Sequence, residues 1–252
     1  MHIQVFGSSS AGNCVRIYTD DNAGVFIDAG IRPKDILAAG APLANASFLI
    51  THEHGDHSAH IKDLSDKYGC MIFATKETIE QVERTHSCKI AGRKKVLVEP
   101  ATITYKRNGC RLLPFPVIHY PAVNPVGWIV GIGQETCLYM TDIGQLPSMN
   151  FPRCDAYFIE ANYTPDRLAL NLYNSQIDPR VADRTTSGFG HIGIVQAIEF
   201  MSQRASEPCI FLLGHRSAIN FDIDEALDLM PKDLLKKTYF VESGKTYSTM
   251  PF

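Results

Sequence analysis

The chain has 252 residues, 45% hydrophobic and 10% aromatic, with 24 Lys and Arg against 27 Asp and Glu, a formal net charge of −3. That composition excludes a disordered tail and supports a full hydrophobic core. It also excludes a general nucleic-acid coat, while leaving room for a local basic patch.

In chain order, His2–Phe6, Cys14–Tyr18 and Gly24–Asp28 read as short strands, broken by Gly7–Asn13 and by Asp20-Asp21-Asn22. Ala46–Ile50 is a buried-strand run that ends in a cluster of histidines. Ser58–Tyr68 and Lys76–Arg84 read as helices. Thr102–Tyr105 and Arg111–Phe115 flank Asn108-Gly109, a two-residue hairpin signal. Val126–Ile132, Cys137–Thr141, Ala156–Glu160 and Cys209–Leu213 are further strands. Gly193–Arg204 places Ile194, Val195, Ile198 and Met201 on one helical face. Thr238–Val241 and Lys245–Thr249 are expected to close the chain as a hairpin. Strands in both halves with helices between them predict stacked sheets covered by helices, in one domain over 1–252.

The seven cysteines are scattered and form no C-x-x-C pair, which favours reduced thiols in a cytoplasmic protein. No secretory signal is read at the N-terminus. The longest apolar runs, such as Cys209–Leu213, fall far short of the ~20 residues that span a bilayer.

Thr51-His52-Glu53-His54-Gly55-Asp56-His57 carries the chemistry. In an extended segment, residues two apart point the same way, so His52 and His54 can hold one metal ion. The chain then turns, and Asp56 and His57 can face a second. Imidazoles with a carboxylate suit zinc, with manganese or iron as alternatives.

With H-x-H-x-D-H at the end of a buried strand, the sequence resembles the metallo-β-lactamase-fold hydrolases. Gly7-Ser8-Ser9-Ser10-Ala11-Gly12-Asn13-Cys14 and Phe26-Ile27-Asp28-Ala29-Gly30 are similar to the opening of the exonuclease-like YycJ/WalJ group. The resemblance covers nearly the whole chain and implies an αββα sandwich of two mixed β-sheets flanked by helices. It also implies the remaining ligands. His119 would complete the first metal with His52 and His54. Asp142 would bridge two divalent ions, and His215 would join Asp56 and His57 on the second.

In this family a bridging Asp accompanies phosphodiesterases and thioester hydrolases, whereas antibiotic-cleaving members tend to carry Cys there. Gly190-His191-Ile192-Gly193 resembles the group's G-H-L-S segment, and Glu160 resembles a strand-end Glu that orients such a histidine in tRNA 3′-processing relatives. Asp56, His191 and Glu160 are therefore the candidate catalytic residues, with His191 supplying a proton to an alkoxide leaving group. Asp28 is expected to hold a ligand histidine in one tautomer. The Gly7–Asn13 loop is a candidate for a role beside the metals.

Two positions depart from the family pattern: His60 stands where Gly is common, and Tyr163 where the YycJ-type group often has His. Lys89, Arg93, Lys94 and Lys95 form a basic run, and Lys106, Arg107 and Arg111 cluster around the hairpin. These are solvated faces or an electrostatic track for a phosphate backbone.

The leading expectation is a two-metal phosphodiesterase acting on single-stranded nucleic acid. A cyclic-nucleotide phosphodiesterase similar to phage anti-Pycsar proteins is the alternative. A glyoxalase- or lactonase-like hydrolase and a non-enzymatic metal or nucleotide binder rank below. Homodimerisation is common among these relatives and is expected here.

Overall fold

The structure, a computed structural model, describes residues 1–91, 95–100 and 105–249. Alternating burial along β1 (His2–Ser9) turns Ile3 and Val5 inward and begins the first sheet. β2 (Gly12–Tyr18) and β3 (Gly24–Ile27) follow as antiparallel neighbours. β4 (Ser47–Leu49), β5 (Met71–Ala74) and β6 (Lys95–Leu97) then continue parallel to β3.

In the second sheet, β7 (Tyr105–Arg107), β8 (Cys110–Pro116), β9 (Val126–Ile132) and β10 (Glu135–Met140) pair antiparallel. β11 (Ala156–Glu160), β12 (Ile210–Gly214) and β13 (Thr238–Phe240) extend it in parallel from β10. β14 (Thr246–Ser248) returns to β1, so the two mixed sheets run β14-β1-β2-β3-β4-β5-β6 and β13-β12-β11-β10-β9-β8-β7.

Three apolar clusters define four layers. Ile3, Val15, Ile27 and Leu49 of the first sheet meet Leu112, Trp128, Tyr139 and Phe158 of the second. The outer face of the first sheet is covered by α1 (Pro33–Ala38), α3 (Ile61–Tyr68) and α4 (Lys76–Thr85) through Ile36, Leu64 and Val82. The outer face of the second is covered by α7 (Ile194–Ser202), α8 (Ile223–Leu229) and α9 (Lys232–Leu235) through Phe200, Ala226 and Leu234. This is the expected αββα arrangement. The parallel ordering places the carboxyl ends of β3, β4, β10, β11 and β12 along one edge, where open sheets bind ligands.

The Asn108-Gly109 hairpin forms as read: both residues have positive φ (49° and 75°) and Arg107 faces Cys110. The closing hairpin does not. β13 lies parallel to β12 and β14 antiparallel to β1, because the chain crosses between sheets at Gly244, whose φ is 84°. Ser58–Tyr68 is not one helix either. A short α2 (Gly55–Ser58) ends before His60, whose N–H leaves the helical ladder to donate to the Ala29 carbonyl at 3.0 Å. Gly7–Asn13 is largely strand rather than loop, since β1 runs to Ser9 and β2 starts at Gly12.

Arg93, Lys94 and residues 102–104 lie outside the described residues. Of the remaining basic positions, Lys89 and Lys95 both pair with Glu83 (2.9 and 2.8 Å), Arg107 bonds the Ser47 hydroxyl and Arg111 the Gly133 carbonyl. These four cations are tied into the fold, whereas Lys106 is exposed on β7. All seven cysteines are free thiols, and among the described residues no helix is long and apolar enough to cross a membrane.

Candidate metal centre

Strand β3 ends just before Asp28, where φ swings to 63° and turns the carboxylate across the sheet edge. One oxygen, Oδ1, accepts both the Thr51 N–H and the Thr51 hydroxyl at 2.9 Å; Oδ2 accepts from His57 Nδ1 at 2.8 Å. Having given its proton to Asp28, the Thr51 hydroxyl accepts from His52 Nδ1 at 2.9 Å. His52 and His57 therefore carry their protons on Nδ1 and present the Nε2 lone pair.

The same device recurs on the second sheet. His119 Nδ1 donates to the Gly190 carbonyl at 2.8 Å, and His215 Nδ1 to Glu160 Oε1 at 2.9 Å. His54 faces the group with Nδ1 instead, 3.0 Å from His52 Nε2 and 3.3 Å from His119 Nε2. The opening motif reaches this point because α2 turns immediately after His54, which places Asp56 and His57 opposite His215. Gly30 permits the turn: a Cβ there would fall 1.7 Å from the Asp56 carbonyl oxygen.

Asp142 and His215 also adopt positive φ (53° and 49°) where β10 and β12 run out. Asp142 Oδ2 lies 2.8 Å from His57 Nε2 and 3.2 Å from His215 Nε2. All seven sequence-predicted ligands thus converge: His52, His54 and His119 form one set, Asp56, His57 and His215 another, with Asp142 between them.

The residues fit divalent metal binding. Asp142 Oδ2 and His215 Nε2 are buried and have no hydrogen-bond partner among the described residues. Leaving such atoms unsatisfied costs about 1–3 kcal/mol each. Imidazole nitrogens gathered around carboxylates attract a cation, a proton or a metal ion, and the N/O donor set suits zinc. Burial alone would depress His57 and His215, but Asp142, with Asp28 beside the first and Glu160 beside the second, outweighs it. His57 is held well above the ordinary imidazole range and His215 is pushed up to about 10. Burial would likewise raise Asp56, but His215 and His57 hold it as a carboxylate.

Glu160, fully buried at the end of β11, orients His191: Oε1 accepts from His191 Nδ1 at 2.7 Å while Oε2 accepts the Ile143 N–H. His191 keeps Nε2 as its second ring nitrogen, on a half-buried side chain that lines a cavity of about 330 Å³ above the ligand cluster. Tyr163 does not substitute for a histidine at the site. Its ring packs against Gly193, the N-cap of α7, and supports the His191 loop. His60 caps α3 beside Arg32 and Lys67 in a separate surface cleft.

Several further residues stand at the site, of which Ser8, Ser10 and Asn13 belong to the Gly7–Asn13 segment expected beside the metals, while Thr51, Asn162, Tyr120 and Arg184 were given no role by the sequence. Thr51 is the relay just described. Asn13 Nδ2 lies 3.1 Å from Asp56 Oδ2, Ser8 Oγ accepts the His215 N–H at 2.8 Å, and Asn162 Nδ2 donates to the His215 carbonyl. Ser10, Tyr120 and Arg184 also line the cavity. Arg184 sits on α6 (Pro179–Thr186), which follows α5 (Pro165–Tyr173). Thr164-Pro165 and Asp178-Pro179 are helix-start signals that could have revealed both helices.

Comparison with known proteins agrees with this architecture. The chain is 25% identical over 222 residues to exodeoxyribonuclease WalJ of Streptococcus pneumoniae, covering 84% of this chain and 77% of the relative. YhfI of Bacillus subtilis, a metallo-β-lactamase-fold protein, superposes with a TM-score of 0.72 at 17% identity, over 98% of this chain and 99% of that one. Zn²⁺-bound PqqB of Methylobacterium extorquens superposes with a TM-score of 0.75 at 14% identity, over 98% and 100%. Residues 27–213 match the beta-lactamase superfamily domain model, and the chain belongs to that family, with the metallo-β-lactamase fold.

Proposed function

We propose that the chain is a metal-dependent phosphodiesterase that cleaves single-stranded nucleic acid. The observation that carries this reading is the His191–Glu160 pair standing over the ligand cluster, because a phosphodiester's alkoxide leaving group needs a proton and a buried carboxylate-oriented imidazole can deliver one. The exodeoxyribonuclease name of the WalJ relative supports the substrate class.

His52, His54 and His119 would hold one divalent ion and Asp56, His57 and His215 the other, with Asp142 shared; zinc suits the donors, with manganese or iron as alternatives. Bound divalent ions would supply a polarised water and neutralise phosphoryl charge. Asp56, held as a carboxylate, takes a proton from the attacking water. His191 gives a proton from Nε2 to the departing oxygen, and Glu160 fixes the ring through Nδ1. Asp28 and Thr51 keep the ligand rings in the tautomer that binds.

The small cavity favours, as a second reading, a single cyclic nucleotide enclosed within it. Metal-loaded protein assayed on bis-p-nitrophenyl phosphate, single-stranded DNA and cyclic nucleotides tests both readings. Cleavage of the generic diester and of DNA, lost on chelation, supports the first. Turnover of lactones or thioesters without any phosphodiester overturns both.

A further inference from the structure

We infer that Tyr120, Phe189 and Arg184 form a subsite that holds the strand of a polymeric nucleic acid outside the reaction cavity, an inference that rests on the phosphodiesterase reading. The cavity, at about 330 Å³, is at the small end of the roughly 300–1,000 Å³ that encloses a whole ligand, and His54, Asp56, His119, Asp142, His191 and His215 already line it. Anything attached to the scissile phosphate must continue over the rim.

Tyr120 lines that rim, and Phe189 is joined to it through the backbone. The Tyr120 side chain is 67% exposed and Phe189 is 59% exposed. They are adjacent, because the Tyr120 N–H donates to the Phe189 carbonyl at 2.7 Å. Each directly neighbours the chemistry: Tyr120 follows His119, and Phe189 lies two residues before His191. An exposed ring lining the cavity, with a second exposed ring on the residue bonded to its backbone, is a poor choice for solubility and a good one for stacking bases, which every base can do through its π-face.

Arg184 supplies the charge. It is exposed, lines the same cavity, and its guanidinium has no carboxylate or hydrogen-bond partner among the described residues. Most of the other described arginines bond a carboxylate, a carbonyl or a side-chain oxygen, as Arg180 does with Asp178 and Arg216 with the Val241 carbonyl. The Arg184 helix is fastened to the reacting histidine, since His191 N–H donates to the Thr185 carbonyl at 2.9 Å. A planar cation held at that position suits the phosphate next to the scissile one.

The test is fluorescence anisotropy of metal-loaded protein with a short single-stranded phosphorothioate oligodeoxynucleotide, run beside hydrolysis of bis-p-nitrophenyl phosphate. Tyr120→Ala and Phe189→Ala should each weaken oligonucleotide binding about 5- to 150-fold. Arg184→Ala should flatten the slope of log affinity against log salt by about 0.7. Tyr173→Ala removes an 88% exposed ring on α5 and should leave both readouts at the wild-type value. Wild-type protein that hydrolyses the generic diester yet binds the oligonucleotide no differently from the Tyr120 and Phe189 variants overturns the subsite while the phosphodiesterase reading stands. So does tight binding of a cyclic nucleotide with none for the strand. No hydrolysis of any phosphodiester overturns the function itself.

Discussion

His191 and His215 donate through Nδ1 to the same oxygen of Glu160, at 2.7 and 2.9 Å. One buried carboxylate thus positions both the proposed proton donor, His191, and a proposed metal ligand, His215. The sequence reading assigns Glu160 only to His191; the structure adds the second duty. Glu160→Gln should therefore lower kcat and also weaken metal binding at the His215 set, which elemental analysis after partial chelation measures. Unchanged metal retention would restrict Glu160 to its role at His191.

His191→Ala separates the two duties. It should leave metal content intact while lowering kcat by ~10²–10⁴ on substrates with poor leaving groups. The defect should shrink for nitrophenolate, which departs without a proton. Equal slowing of good and poor leaving groups, or a lost ion, would contradict the general-acid assignment.

Thr51→Val removes the hydroxyl that connects Asp28 to His52 without changing the side chain's shape greatly. Metal affinity should fall about 10–100-fold, the usual effect of losing a partner behind a ligand histidine. A chelator competition titration reads it directly, and wild-type affinity would show that the relay is dispensable.

Gly30→Ala places a methyl group 1.7 Å from the Asp56 carbonyl oxygen, against backbone that cannot rotate away. Destabilisation of about 1–3 kcal/mol is expected, lowering Tm by about 2–4 °C for each kcal/mol. The Phe26–Gly30 motif is conspicuous in the sequence, but its reason is a contact between segments 26 residues apart, invisible without the fold.

That distinction runs through the whole molecule. The H-x-H-x-D-H cluster was legible because it needs only local geometry, whereas His119, Asp142 and His215 were implied by the resemblance to the family, each after an apolar strand-like run. Glu160's second partner, the Thr51 relay and Arg184 depend on which strand ends lie side by side. The final two strands misled for the same reason. Their spacing fits a hairpin, but the choice between pairing with each other and sealing two different sheet edges is made by β12 and β1.

Glu83 gives a pH dependence remote from the metals. Burial would raise its pKa, but hydrogen bonds from Lys95, Lys89 and the Ile90 N–H hold it down to about 2. A depressed carboxylate stabilises the fold fully above its ordinary value near 4.5, and that contribution is lost as pH falls toward 2. Glu83→Gln should be less stable than wild type at neutral pH, with the gap in Tm closing across that acid window. A gap that stays constant would show that the ion pairs do not act through ionisation.

The central claim is a dinuclear centre required for phosphodiester hydrolysis, and titration of metal-stripped protein with zinc tests it most directly. Isothermal calorimetry and bis-p-nitrophenyl phosphate hydrolysis should be followed on the same samples. Binding should saturate at two ions per chain with activity appearing as the second site fills, and His52→Ala should lose the stoichiometric sites. Saturation at fewer than two ions with full activity, or activity that survives stripping, would contradict it.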